Sequence, residues 1–234
     1  MSILANTAQE TTDCRRCGLC CRKGGPALHR ADLPLFGSGG LELAQVLTLR
    51  AGEPALDQVR GQVAPLGCEL IKLKGADGNW TCVLFDTAQN ACTLYERRPA
   101  ECRALFCQDT TELAAMYDAE RLSRRDLLPP GHAILAVLAE HDALVPAGRV
   151  APLAAALRTS GQEALDAAEE LTRMALADQA FRRALQERAG IGPELHDFFL
   201  GRTAAALYAS AGIALRDDAR AGLRVQPDPL WRDQ

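Results

Sequence analysis

The stretch Cys14-Arg15-Arg16-Cys17-Gly18-Leu19-Cys20-Cys21 places four sulfurs within eight residues. All nine cysteines of the 234-residue chain lie between Cys14 and Cys107. Cys-x-x-Cys spacing lets two sulfurs converge on one ion from a tight turn, and this spacing occurs twice here in overlap. Because the rest of the chain has no cysteine, the pattern predicts two units, a cysteine-rich half that binds metal and a second half of different character.

The pattern of the chain predicts an α+β fold that is mostly α, with a small loop-rich cysteine module followed by a helical bundle. Glycine and proline between positions 22 and 67 indicate loops, with one short helix at 41–50. Three short runs predict strands in an antiparallel meander at 69–74, 80–85 and 91–95. A small sheet of this kind would hold Cys82 and Cys92 in place.

Helical patterns follow the last cysteines. Pro99 suits the first position of a helix that carries Cys102, because its missing N–H has no intrahelical partner there. Further helices are predicted at 132–144, from the capping pattern at 160–163 to just before Gly190, and from Pro193 onward, with an irregular tail after Gly222. The predicted organisation is a tail at 1–13, a metal-binding domain at 14–110, a helical domain at 111–223 and a tail at 224–234.

Charge and hydropathy limit which partners and which cellular compartment we expect for this chain. The net charge is −4 and neither half is strongly basic, which weighs against nucleic acid. No segment approaches the roughly 20 apolar residues that span a bilayer, so we expect a soluble, cytoplasmic protein without membrane contact. In a reducing cytosol, closely spaced thiols in an odd number are expected to be ligands rather than disulfides. An unidentified protein partner is expected, if anywhere, on the helical half.

Cysteine spacing leaves the type of metal site open. Adjacent side chains usually point apart, so Cys20 and Cys21 are expected to serve different metals, or a metal and a neighbouring thiol. With Cys68 set aside, eight cysteines are enough for two four-sulfur sites, and one multi-iron cluster with spare thiols fits the sequence equally well. Zinc and iron–sulfur clusters both accept four thiolates. The first gap of the cysteine run lacks the three residues of the radical S-adenosylmethionine motif, which excludes that enzyme class.

Several cysteine motifs in one order carry a family resemblance. The runs at 17–22, 82–86 and 92–99, followed by Cys102-Arg103 and Cys107, resemble the CxxCxxCC cysteine-cluster family, the YkgJ-like proteins described as zinc- or iron-chelating. The resemblance implies metal binding, and family relatives that methylate flagellin lysines look iron–sulfur dependent, which favours iron, as a 4Fe-4S cluster, over zinc. Cys68 lies outside the family pattern. The implied ligands are Cys14, Cys17, Cys20, Cys21, Cys82, Cys92, Cys102 and Cys107.

Three functions follow from this interpretation. The first is an iron–sulfur protein in electron transfer or redox sensing, and the second is a structural zinc module that binds a partner. The third is an iron–sulfur enzyme resembling the protein lysine methylases, for which the sequence offers no recognisable methyl-donor pocket. Whether the chain is an enzyme stays open, and no catalytic residue is assigned.

Basic residues and histidines near the cysteines have smaller predicted roles. Arg15, Arg16, Arg22 and Arg103 are candidates to stabilise an anionic metal site, and the start of the helix at Pro99 is expected to favour the thiolate of Cys102. His29 is a weak candidate ligand, since a single histidine in a loop is more often a surface residue. Helical spacing from apolar neighbours predicts a structural role for His141.

Overall fold

Short elements make up the first half of the chain, and longer helices dominate the second. The structure is a computed structural model that describes residues 16–37, 40–218 and 222–231. Helix accounts for 47% and short antiparallel strands for 18%, which confirms the predicted α+β, mostly α class. The strands are β1 Val46–Leu49, β2 Pro54–Asp57, β3 Gln62–Pro65, β4 Leu70–Leu73, β5 Phe85–Asp86, β6 Ala91–Cys92, β7 Ile213–Asp218 and β8 Gly222–Pro227. The helices are α1 Leu33–Gly37, α2 Ala100–Ala104, α3 Thr111–Met116, α4 Arg124–Leu127, α5 Ile134–Leu144, α6 Val150–Leu157, α7 Gln162–Ala189, α8 His196–Leu200 and α9 Ala204–Ala209.

The first strand lies where the sequence predicted a helix. Residues 41–50 form a single 3-10 turn, Leu43–Gln45, and then β1, so the helix prediction is wrong. β1 pairs antiparallel with β4, and Val46 lies opposite Leu73. Val46 and Thr48 are fully buried on one face, which is the period-two pattern of a half-buried strand. Tertiary pairing with β4 therefore decides the conformation of this segment.

The predicted meander is correct in part. Its first run is β4, but this strand pairs with β1 rather than with the run that follows it. The second run is mostly turn and contributes only Phe85 to a strand, while β5 and β6 form a two-residue hairpin. The Asp86 carboxylate accepts the N–H groups of Ala88 and Gln89, at 2.8 and 3.0 Å, and Asn90 has a φ of 51°. This side-chain turn begins directly after β5 and keeps the hairpin short.

The long helix of the second half begins and ends where the sequence predicted. α7 follows Gly161 and stops at Gly190, whose φ of 65° lies in the left-handed region. The predicted capping box at 160–163 does not form, since the N-cap is Gly161 without a side-chain cap. The C-terminal helix is split by Gly201, where an added Cβ would lie 2.9 Å from the carbonyl oxygen of Thr48, so the prediction of one continuous helix from Pro193 is wrong.

The C-terminal segment forms a hairpin rather than an irregular tail. β7 and β8 pair from Ile213 opposite Pro227 to the turn at Gly222, so the prediction of an irregular tail after Gly222 is wrong. Leu223 and Val225 alternate with exposed residues and pack against the second core. Apolar burial on one face therefore holds the hairpin against the helices.

The described residues form two apolar cores. The first contains Leu28, Val46, Ile71, Leu84 and Phe85 of the cysteine half together with Ile134, Leu138, Leu185, Phe198 and Leu200 of the helical half. The second consists of helical-half residues alone, among them Val150, Leu171, Met174, Leu207 and Ile213. The cysteine module thus rests on α5, α7 and α8, and the domain boundary at 110/111 stays a prediction. Among the described residues, no helix has the length and apolar character needed to cross a bilayer.

Candidate metal centre

Five of the predicted ligand thiols interact with one another in one region. The sulfurs of Cys20 and Cys21 lie 3.9 Å apart, and the electrostatic influence of Cys82 and Cys92 reaches Cys21. The thiol of Cys102 is influenced by the other four. Cys20 and Cys21 lie at the start of a 3-10 helix, Cys82 in a turn, Cys92 in β6 and Cys102 in α2. Four separate segments therefore contribute to this cluster, which we call the thiol cluster.

Helical backbone angles bring Cys20 and Cys21 together. Cys20 has φ −65° and ψ −39° and Cys21 begins the 3-10 helix Cys21–Lys23, so their side chains diverge by only about a third of a turn. The prediction that these two side chains point apart is therefore wrong. Gly18, with a φ of 73°, allows the turn before them, and an added Cβ there would lie 2.5 Å from Phe85 Cζ. The first cysteine segment is thus packed directly on β5.

Backbone hydrogen bonds hold Cys82 and Cys92 beside that segment. The Cys82 N–H donates to the Cys21 carbonyl at 2.7 Å, and Cys82 forms an isolated bridge with Gly75. Cys92 lies opposite Phe85 in the β5–β6 hairpin. These backbone contacts bring both residues next to the first cysteine segment and to β5.

Cys102 lies in a short helix that is anchored by two buried carboxylates. Pro99 is the N-cap of α2 rather than its first residue, one position from the prediction. The Ala100 N–H donates to Asp32 Oδ1 at 2.8 Å, and Glu101 Oε2 accepts the Ala27 N–H at 2.8 Å. Burial, followed by the neighbouring thiols, raises the pKa of Cys102 well above its usual value, so these effects outweigh the predicted help from the helix start.

Burial disfavours thiolate formation at Cys21, Cys82 and Cys102. It raises the pKa of Cys21 to about 12, with a further contribution from Cys20. The pKa of Cys82 is raised by burial and partly lowered by a hydrogen bond from the Leu84 N–H. A metal ligand must be a thiolate, and a bound cation supplies the opposite charge that burial otherwise withholds. The thiol cluster is therefore suited to a cationic metal group that displaces its protons.

Three of the remaining cysteines are exposed. Cys17 and Cys107 are exposed, as is Cys68, which the family pattern omits, and Cys14 lies outside the described residues. Within residues 16–37, 40–218 and 222–231, no three His, Cys, Asp or Glu side chains converge on one point suited to a single ion. The five thiols of the cluster therefore share a region but do not surround one position suited to a single ion. Membership of Cys14, Cys17 and Cys107 in the ligand set stays a prediction.

His29 is buried, contrary to the expectation of a surface residue. Its side chain is only 3% exposed, with Nδ1 2.7 Å from the Ala119 carbonyl oxygen and Nε2 3.3 Å from Glu101 Oε1. The hydrogen bond to Glu101 raises the pKa of His29, with the Ala119 carbonyl adding to it and burial opposing it. Both ring nitrogens therefore face acceptors, and His29 helps to hold α2 rather than offering a metal ligand.

Lys72 is a charged residue of the site that the sequence analysis missed. Its ammonium donates to the Gly25 carbonyl, just beyond the first cysteine segment. Burial lowers the pKa of Lys72, while Glu101 and the thiols of Cys82 and Cys102 raise it. The available signal was a lysine between two apolar residues of a strand, in a chain with only three lysines. Lys72 places a positive charge behind the thiol cluster.

The neighbouring arginines contact aromatic rings and backbone groups. Arg16 stacks on Tyr95 and Arg22 on Phe85, with guanidinium-to-ring distances of 3.8 and 4.9 Å. Arg103 donates to the carbonyl of Arg98, and Arg15 lies outside the described residues. Burial and neighbouring thiols are the main influences on the pKa values of the clustered thiols, and no arginine is among those main influences. A role of Arg16, Arg22 and Arg103 in stabilising an anionic metal site stays a prediction.

A comparison with known proteins supports metal binding by the cysteine region. Residues 13–119 match the model of the CxxCxxCC family, described as a "putative zinc- or iron-chelating domain", which confirms the resemblance that the cysteine motifs predicted. No curated protein and no solved structure matches the chain. The family description supports metal binding through the cysteines and is equally consistent with zinc and with iron.

Proposed function

We propose that the CxxCxxCC segment of this chain binds an iron–sulfur cluster and serves electron transfer or redox sensing. The observation that carries the proposal is the meeting of five thiols from four segments in one partly buried region. Buried thiols are costly to ionise unless a cation compensates them. A cluster of several irons binds its thiolates through different metal atoms, which suits sulfurs that share a region without converging on one point.

The donor chemistry of the thiol cluster fits this group. The groups that most affect the pKa of Cys21 and Cys102, apart from burial itself, are other thiols, with no carboxylate among them. Sulfur-only sites select soft metals and iron–sulfur clusters over hard cations. The residues that would hold the group are Cys82, Cys92, Cys102 and one of the pair Cys20 and Cys21. When bound, an iron–sulfur cluster supplies one-electron redox chemistry.

Other residues of the site would tune the group and shield it from water. The Leu84 N–H donates to the Cys82 sulfur, and Lys72 places a partly buried positive charge near Cys82 and Cys102. Hydrogen bonds and positive charge near ligand sulfurs favour the reduced, more anionic state of a cluster. Leu84 and Phe85 are nearly fully buried and limit solvent access on the β5 side.

A structural zinc module is the second candidate, and one distance favours it. Zinc–sulfur bonds of about 2.3 Å in a tetrahedron place neighbouring sulfurs about 3.8 Å apart. The 3.9 Å between the sulfurs of Cys20 and Cys21 is close to that edge. In this alternative, both adjacent thiols bind one ion and the region has a folding or partner-binding role without redox chemistry.

Matched cysteine variants test the proposal. Cys102→Ser replaces a partly buried member of the thiol cluster, whereas Cys68→Ser replaces an exposed thiol outside the family pattern. In protein purified without oxygen, we expect C102S to lose most of its iron, acid-labile sulfide and visible absorbance, and C68S to retain them. Loss of zinc alone in C102S, without iron or sulfide in either protein, would replace the first candidate by the second. Equal metal content in both variants would exclude Cys102 from the ligand set.

A further inference from the structure

Basic side chains surround the thiol cluster on the protein surface. Between positions 16 and 25 and between 95 and 107 the chain carries six basic residues and two carboxylates. The carboxylate of Glu101 is directed inward to the Ala27 N–H and His29, which leaves Glu96 as the exposed acid of these segments. The basic residues are Arg16, Arg22, Lys23, Arg97, Arg98 and Arg103, and we call this surface the basic face.

Aromatic and amide contacts join the two segments into one surface. Arg16 and Arg98 both stack on Tyr95, with guanidinium-to-ring distances of 3.8 and 4.1 Å. Asn90 accepts from Arg22 and donates to the Arg16 carbonyl, each at 3.2 Å. Stacked guanidinium groups lose less side-chain freedom when they meet a partner than free ones do. The basic face is therefore continuous and partly preorganised.

Two large apolar side chains lie exposed beside these charges. Leu19, between Cys17 and Cys20, is 63% exposed, and Trp80, two residues before Cys82, is 75% exposed. An added Cβ on Gly24 would lie 3.8 Å from the carbonyl oxygen of Trp80, so Trp80 is next to the first cysteine segment. Exposed aromatic and aliphatic anchors among arginines are typical of protein interfaces.

The charge of the remaining surface points to an acidic partner. The whole chain has a net charge of −4, so the basic face is a local exception on an acidic protein. Within the basic face, Arg16 lies 3.9 Å from the Glu96 carboxylate, and Arg22, Lys23 and Arg103 are exposed. Overall negative charge opposes a long polyanion such as nucleic acid but permits an acidic patch of limited size.

We propose that the basic face is the docking surface for an acidic protein that exchanges electrons with the metal centre. The electron-transfer part rests on the function proposed above, whereas the docking part does not. Docking on this face brings the partner next to the segment that carries Cys20 and Cys21, two members of the thiol cluster. Complementary charge of this kind steers association and is screened by salt.

Charge reversal on the basic face tests the proposal, with plant-type ferredoxin as the acidic electron carrier. The test variant is Lys23→Glu with Arg97→Glu, and the control is Arg183→Glu with Arg188→Glu, which makes the same charge change at exposed sites on α7. At low ionic strength we expect the test variant to bind the ferredoxin about tenfold more weakly than the native protein, and the control to bind like the native protein. The difference should vanish at high salt.

The outcomes separate docking from the redox proposal. Iron content, the visible spectrum and the rate of electron transfer with the ferredoxin are measured on each variant. A variant that keeps its iron but transfers electrons more slowly has lost docking rather than the metal centre. A protein that carries zinc but shows the same binding losses sustains the docking surface and removes electron transfer. The docking surface is overturned if the native protein does not bind the ferredoxin, or if the test and control variants lose equal affinity for it. It is also overturned if the native protein binds single-stranded DNA more tightly than ferredoxin, or if the test variant loses only the ability to associate with itself.

Discussion

Buried polar groups in the helical region are paired with opposite charges, whereas the buried thiols of the cysteine region have mainly one another. His141 is fully buried, and its Nε2 lies 3.1 Å from Asp178 Oδ1. Arg182 and the Ala204 N–H donate to the same carboxylate, each at 3.0 Å. The prediction of a structural role for His141 is consistent with this network. In the thiol cluster, by contrast, burial raises the pKa of Cys21, Cys82 and Cys102, and the positive charge of Lys72 offsets this only in part, at Cys82.

This contrast distinguishes the helical region, whose own side chains satisfy its buried polar groups, from the cysteine region, whose thiols are suited to bind a metal group. The helical region has a 28-residue helix and a core built from its own side chains. The cysteine region is built from strands of two to four residues and helices of about one turn. Short elements gain little from local hydrogen bonding, so this region depends more on tertiary contacts and on whatever links its four cysteine segments.

Removal of the metal should have the largest effect and should act on one region. We expect chelation, or loss of the group in air, to speed amide hydrogen exchange by orders of magnitude in residues 16–25, 82–92 and 100–107, because their cross-links are lost. The α7 amides should keep their protection. Hydrogen exchange read by mass spectrometry on metal-loaded and metal-free protein measures both. Equal protection of the cysteine segments in the two states would break the contrast.

Asp178→Ala should cause the largest loss in the helical region. The carboxylate is 3% exposed and accepts from His141, Arg182 and Ala204, so its removal leaves buried donors without a partner. We expect a loss of about 3–5 kcal/mol in the free energy of unfolding, measured by urea denaturation. Metal content per folded molecule should stay unchanged. The exposed Asp166→Ala on the same helix is the control, and a comparable loss there would show that the network has no special weight.

The two regions should lose stability at opposite ends of the pH scale. Burial would raise the pKa of Asp178, but hydrogen bonds from His141 and Arg182 outweigh it and lower the pKa to about 2. A lowered carboxyl pKa contributes stability above the unfolded value near 4, which is lost as the pH falls toward 2. His29 has a raised pKa, so its contribution is complete below the unfolded value of about 6.5 and is lost as the pH rises through the folded value.

Stability curves of matched variants measure these responses. His29→Gln should remove the alkaline loss and leave the acid loss in place, whereas Asp178→Asn should reduce the acid loss alone. The reading is the free energy of unfolding from urea titrations between pH 3 and pH 9. If D178N loses as much stability at low pH as the native protein, the acid loss does not come from the Asp178 network of the helical region.

Gly18→Ala should have a smaller effect, confined to the cysteine region. The added Cβ would lie 2.5 Å from Phe85 Cζ, and the residue has a φ of 73°. We expect a cost of roughly 1–3 kcal/mol from backbone strain and overpacking, with weaker metal retention because the turn before Cys20 shifts. Gly61→Ala, with a φ of 67° and open space around its Cα, isolates the backbone part of the cost. Thermal unfolding and metal content measure both variants.

The sequence predicted the boundaries of those elements that end or begin at a glycine or a proline. Gly190 and Pro193 fix the end of α7 and the start of the next 3-10 turn, and both were readable from the sequence. The pairing of β1 with β4 was not readable, since the two strands lie more than 20 residues apart and the glycines between them indicated only loops. The β7–β8 hairpin was missed because its apolar residues alternate with arginines and acids in a segment that follows a helix.

The candidate site was predictable in its ligand type and less so in its surroundings. The motif order identified the family and placed Cys20, Cys21, Cys82, Cys92 and Cys102 in one predicted ligand set, and the structure brings these five into mutual influence. The 3.9 Å approach of Cys20 and Cys21 depends on backbone angles that residue spacing does not specify. Lys72 and His29 reach the site from other segments of the chain, so no local pattern relates them to the cysteines.

The most direct test of the central claim is the amount of iron, zinc and acid-labile sulfide per chain, with a visible spectrum, in native protein purified without oxygen. The account predicts about four irons with about four sulfides per chain and a visible absorbance that bleaches on reduction. Colourless protein with stoichiometric zinc and no sulfide would contradict it and leave the zinc-binding interaction module as the function of the cysteine region.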